Sequence, residues 1–308
     1  MNFTKTIIFL IIAAGIAIYV IGRAPEIMEG IKKSSETLKT PSKPRVQTVF
    51  PQTSYIAPSF QSVSVPLITS TAPQIPDYLI PSGFMRTQLS PYFNKVQISS
   101  VSSYVYADNP TIIGFYSSLS KEESINITGW KIKSNHGELI IPQGVEVWES
   151  SGAFSKKDII LSGSNYVNIY SNKSVVNENF RLNKCIGYLN NSNKFNPLLY
   201  QNCPLPYKDR AEIAYLSGDC QNYIFSLGNC RLPDVNFYNS FPGTDEGNAC
   251  RSYLSTISYG SCFQNHRHDS DFLSNEWRIW VGENILDSQH DRLRIFDKQG
   301  LLVDEYIY

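Results

Sequence analysis

Three regimes of hydrophobic and polar patterning divide the chain. From Thr6 to Gly22 the run TIIFLIIAAGIAIYVIG carries no charge and is flanked by Lys5 and Arg23. From Pro41 to Pro91 nine prolines punctuate the chain, and no charged residue lies between Val46 and Pro76. Beyond Pro91, short β-branched and aromatic runs alternate with turn residues, the pattern of strands in a sandwich or barrel.

The first regime predicts an uncleaved transmembrane anchor over residues 1–24. Seventeen uncharged residues make a helix of about 25 Å, at the lower end of what spans a bilayer. The run exceeds the ~7–15 residues of a signal-peptide core. The best cleavage site, Gly22-Arg23-Ala24, is followed by Pro25, which suits a signal peptidase poorly. A cleaved signal peptide is the alternative. Residues 25–91 read as a Pro/Ser/Thr-rich linker or stalk: 25–40 could continue the helix for a few turns, and from Pro41 to Pro91 proline at that density excludes helices and central strands and favours an extended spacer. Adhesion of this linker to the following domain is the competing arrangement.

In the third regime, residues 92–308, strands are expected at 95–102, 111–118, 125–134, 138–142, 145–148, 158–163 and 166–172. Asn135-His136-Gly137 reads as a hairpin turn with glycine supplying a positive φ. The pattern breaks near residue 183 and resumes near 276, with strands at 277–281, 293–297 and 302–308. Two short helical runs, 219–227 and 248–257, fall in the break. The simplest account is an insertion at about 183–275 within a β domain.

Charge narrows the function classes. Twenty-seven Lys+Arg against 27 Asp+Glu leave a formal net charge of zero, and only 18% of residues are charged against 13% aromatic. That balance argues against a nucleic-acid partner and favours sheet packing. All six cysteines, Cys185, Cys203, Cys220, Cys230, Cys250 and Cys262, lie in the insertion, none in a CxxC pair. An even count after an export signal reads as three disulfides in an oxidising compartment, with 15 connectivities open. Basic residues on both sides of the apolar run leave its orientation open, and the cysteines decide it: the bulk of the chain is expected outside the cell membrane.

The segment INITGWKIKSNHGELIIPQGVEVW, with Gly129-Trp130 and Ile141-Pro142, resembles the signature of the lamin-tail domain. DRLRIFDKQGLLVDEYIY resembles that family's closing hairpin, through Asp291, Asp297, Gly300, Val303, Asp304 and Tyr306. The likeness covers roughly residues 93–172 and 276–308. The insertion, with CIGYLN, NCPLP, HRHDSDF and NEWRIW, resembles that of membrane-anchored lamin-tail proteins of uncultivated small-genome bacteria. The second strand departs from the family, since Pro110–Tyr116 has no acidic residue. The resemblance implies an immunoglobulin-like β-sandwich used for interaction or attachment, with no shared catalytic residues. Gly129, Trp130, Asp297 and Gly300 are its structural motif positions.

The densest polar cluster is Gln264–Asp271. Its two His and two Asp could hold a divalent metal or serve as acid and base. Capping a loop that leaves the last cysteine is the blander role. A zinc site of Cys262 with His266 or His268 lacks paired ligand spacing. In Glu276–Val281, alternation puts Trp277, Ile279 and Val281 on one side and Glu276, Arg278 and Trp280 on the other. Trp280 beside Arg278 reads as packing under the insertion, with an exposed ligand platform as the alternative. No G-x-S-x-G, P-loop or H-E-x-x-H occurs. The sequence therefore points to a non-enzymatic surface module needing no cofactor, whose partner is an envelope protein or polymer. The alternative is an exported metal-dependent hydrolase using His266–Asp271 with His290 or Asp291. A filament subunit is disfavoured by the absence of a pilin-type processing motif.

Overall fold

The computed structural model describes residues 75–104, 109–120, 122–149, 151–152 and 154–308. The apolar run 6–22 and most of the linker lie outside the described residues. Among those described, no helix is long and apolar enough to cross a membrane.

The described chain is mostly β, with three sheets and three disulfides. Its strands are β1 (Val96–Ser102), β2 (Ile112–Ser117), β3 (Ser124–Asn126), β4 (Lys131–Lys133), β5 (Glu138–Ile140), β6 (Ile160–Ser162), β7 (Tyr166–Tyr170), β8 (Phe180–Asn183), β9 (Leu273–Trp280), β10 (Arg292–Phe296) and β11 (Leu302–Ile307). They form a five-stranded sheet β1-β2-β7-β9-β8, a four-stranded sheet β11-β10-β4-β5 and the pair β3-β6. Period-two alternation fixes the register. Ile98, Phe115, Val167 and Trp277 stand opposite one another across the first sheet, and Val101, Ile113, Ile169 and Ile279 form the next row. Ile295, Ile132 and Leu139 make the matching row of the second sheet. All but the half-buried Val101 are buried, and they share one apolar cluster. Burying a side chain of this size stabilises by roughly 1.5–3 kcal/mol.

The run 125–134 is two strands, because Gly129 at φ +80° turns the chain between them. The hairpin at 134–137 forms, but Gly137 is not at positive φ. A Cβ there would sit 3.2 Å from Ile285, so close packing is what calls for glycine. Residues 145–148 form no strand. Val145 donates to the Asn179 carbonyl and accepts from Arg181 N–H, and the ladder stops there as Trp148 packs tilted against Phe154 and edge-on against Phe180. The sheet pattern reaches further than expected on both sides of the insertion, through β8 and from Leu273 onward.

The insertion runs between β8 and β9, and its ends are adjacent: Asn183 pairs with Leu273, and Lys184 N–H donates to the Phe272 carbonyl. It holds α1 (Gly218–Ser226), α2 (Val235–Ser240), α3 (Asp245–Ser255) and α4 (Tyr259–His266). The first and third match the expected helical runs. The disulfides are Cys185–Cys262, Cys203–Cys230 and Cys220–Cys250. The insertion core includes Tyr170, Phe180 and Trp280 from the outer side of the five-stranded sheet. Residues 75–91 lie against the domain: Ser90 N–H donates to the Leu302 carbonyl, and Leu89 is buried with Phe93 and Leu302.

Candidate functional site

The polar cluster singled out in the sequence sits where the chain returns from the insertion to β9. Its first part is helix rather than loop, since α4 ends at His266. Ser258 caps this helix by accepting from Ser261 N–H. The cluster is organised by Lys184, at the entry of the insertion. The Lys184 ammonium lies 2.9 Å from Asp269 Oδ2 and 2.6 Å from Asp271 Oδ1, and Asp269 Oδ2 also meets His266 Nδ1 at 2.9 Å. His266, then Lys184, hold the Asp269 carboxyl below the usual range, and Lys184 does the same for Asp271. Entry and exit of the insertion are thus clasped by an ion-pair network. The ammonium stands where a cation shared by the two carboxylates would stand. Among the described residues, no group of three or more His, Cys, Asp or Glu is arranged to hold a metal.

The other residues of the hydrolase alternative are elsewhere. Asp291 is buried and its carboxylate is satisfied by main-chain donors: Asn135 N–H at 2.9 Å, Arg292 N–H at 2.7 Å and Asp287 N–H at 3.1 Å. His290 is exposed, and its N–H donates to Asp287 Oδ1 at 3.3 Å. Among the described residues no hydrogen bond or ion pair joins either to the His266–Asp271 segment.

Trp280 is buried under the insertion, 5.6 Å from the Tyr170 ring and 5.1 Å from that of Phe180. It is not an exposed platform. Beside it Arg278, 2% exposed, pairs with Glu276 at 2.9 Å and donates to the carbonyls of Pro197 (3.1 Å) and Leu198 (2.9 Å). This buried pair joins the sheet to the insertion. The motif positions are structural as well. Gly129 N–H donates to the Ile141 carbonyl at 2.7 Å, Trp130 is buried, and Asp297 Oδ1 accepts from Gln299 and Leu301 N–H to shape a turn closed by Gly300 at φ +78°.

Two clefts flank α4. One, of about 460 Å³, lies between α4, the end of α3 and residues 204–206, with His266 at its rim. The other, of about 480 Å³, is bounded by Glu146, Phe154, Arg267 and His268. Sequence reasoning missed Lys184, Tyr253 and the 204–206 wall. They come from separate parts of the chain and meet only through the disulfides and the insertion core. No family model, curated protein or solved structure matches the chain.

Proposed function

We propose that the chain is a membrane-anchored extracytoplasmic interaction module without catalysis. In this reading residues 1–24 are the anchor, 25–91 the linker, and 92–308 a lamin-tail-like sandwich of the immunoglobulin type that meets an envelope protein or polymer. The observation that carries it is the pairing of all six cysteines, which points to an oxidising compartment. Two sheets sharing one apolar core support the sandwich, and the turn positions of Gly129 and Gly300 support the lamin-tail likeness. A second reading, the exported hydrolase, draws on the His266–Asp269 pair at the rim of a cleft. Lys184 weakens it by pairing with both carboxylates that would otherwise bind a metal.

The test is topological. Protease added to intact cells should release a soluble disulfide-bonded fragment beginning between residues 40 and 90. Release only after lysis would contradict the proposed location.

A further inference from the structure

We propose that the 460 Å³ cleft on the insertion binds a short neutral oligosaccharide. This names the ligand class for the interaction-module reading and rests on it. The volume falls within the ~300–1,000 Å³ of small-molecule sites.

The walls are fixed before any ligand arrives. Cys262 lies in the α4 wall and is bridged to Cys185, while Cys203, bridged to Cys230, immediately precedes the Pro204–Pro206 wall. The Tyr253 hydroxyl donates to the Pro206 carbonyl at 2.8 Å, joining the α3 side to that wall. A site ordered in advance loses less entropy on binding.

The chemistry of the lining selects the ligand. Ser261, Gln264 and Asn265 repeat at helical spacing along the α4 face of the cleft. The Gln264 and Asn265 amides make no hydrogen bond among the described residues, and each offers two donors and an acceptor. His266 uses Nδ1 on Asp269, leaving Nε2 for a ligand. Opposite them stand the apolar surfaces of Leu205 and Tyr253. No Lys or Arg lines the cleft, which disfavours phosphates and acidic chains. The single carboxylate, Glu212, already accepts from Lys208 N–H at 2.7 Å. Unpaired amides facing aromatic and aliphatic C–H surface, with one carboxylate and no cation in the lining, match the hydroxyls and C–H faces of a neutral sugar better than any anionic chain.

The test titrates the purified full chain with chitotriose, cellotriose and maltotriose by calorimetry. Saturable binding of at least one is expected. Gln264→Ala/Asn265→Ala should weaken it at least about tenfold without moving the melting temperature, because both side chains are exposed. Arg267→Ala/His268→Ala, on the other flank of α4, should leave it unchanged. No saturable binding to any of the three, or equal affinity in the Gln264/Asn265 variant, overturns the inference. Co-sedimentation of the detergent-solubilised full chain with detergent-washed, lipid-free envelopes separates this from the parent reading, because the apolar run 6–22 would carry either protein down with intact membranes. Wild type and Gln264/Asn265 variant pelleting equally would remove the cleft but keep the interaction module. Wild type left in the supernatant while a trisaccharide still binds would do the reverse. Protease treatment of the envelopes distinguishes a polysaccharide, which survives it, from a protein-linked glycan.

Discussion

The five-stranded sheet holds together through in-register apolar rows, such as Ile98-Phe115-Val167-Trp277, and backbone ladders, with no cysteine in any of its strands. Between Cys185 and Cys262 the chain has no ladder. Its longest helix there, Asp245–Ser255, has 11 residues, short of the ~12–15 at which an isolated helix becomes even marginally stable. Three disulfides and an aromatic core order that segment instead. One continuous chain thus uses two sources of order: hydrogen-bonded pairing with shared burial in the sheets, and covalent closure of loops in the insertion. The two meet at Arg278, Glu276 and Trp280, where the outer side of β9 becomes the floor of the insertion.

Breaking the longest loop should separate the regions most. Cys185→Ser/Cys262→Ser opens a closure with a sequence separation of 77. By chain entropy this costs about 4–5 kcal/mol. Hydrogen exchange should then show fast amides in α1, α3 and α4 while β2 and β7 stay protected. Equal loss in both regions would mean that the insertion supports the sheets.

The joint comes next. Arg278→Ala leaves Glu276 buried without its partner, at a cost of roughly 3–5 kcal/mol, read in denaturant unfolding. Glu276→Gln/Arg278→Met should recover most of that loss, since no buried charge remains.

Within the sheets, burial pushes the Asp304 carboxyl up to about 6, against the opposing effect of its hydrogen bond from Ile98 N–H at 2.7 Å. The folded state thus binds the proton more tightly than the unfolded chain, with its ordinary value near ~3.9. Stability falls as pH rises from about 4 to about 6. Asp304→Asn keeps an acceptor for Ile98 and removes the charge. It should flatten that slope and raise stability at pH 7 by at most ~3 kcal/mol. An unchanged slope would show that Asp304 does not cause it.

The insertion's clasp has the opposite sign and the smallest effect. The Asp269 and Asp271 carboxyls are held low, so their contribution is present above about pH 4 and fades as pH falls through their folded values. Replacing His266, His268, Asp269 and Asp271 by Ala should lower the melting temperature by no more than ~2–4 °C. Elemental analysis of the wild type should find no stoichiometric divalent ion, and chelator should not shift its melting. Near-unit zinc or manganese would move the hydrolase reading first.

What the sequence made legible follows the same division. β1, β2, β7, β10 and β11 stood out because alternation over five or more residues is a local signal. β8, Phe180-Arg181-Leu182-Asn183, did not, because four residues ending in a buried asparagine carry too little period. α4, Tyr259–His266, was hidden by Gly, Ser and Asn, which are weak helix formers. Its order comes from Ser258, the Cys185–Cys262 bridge and the burial of Tyr259 and Phe263. The His and Asp of the polar cluster were visible as residue types. Lys184, which decides their electrostatics, lies some eighty positions earlier. Disulfide pairing was likewise unreadable, because spacing leaves every connectivity open.

Covalent closure by three disulfides orders the insertion. Thiol labelling and non-reducing peptide mapping of protein taken directly from its native cells test it most directly. The expected result is no alkylatable thiol and three linked peptide pairs, Cys185 with Cys262, Cys203 with Cys230 and Cys220 with Cys250. Six alkylatable thiols without reductant would contradict it.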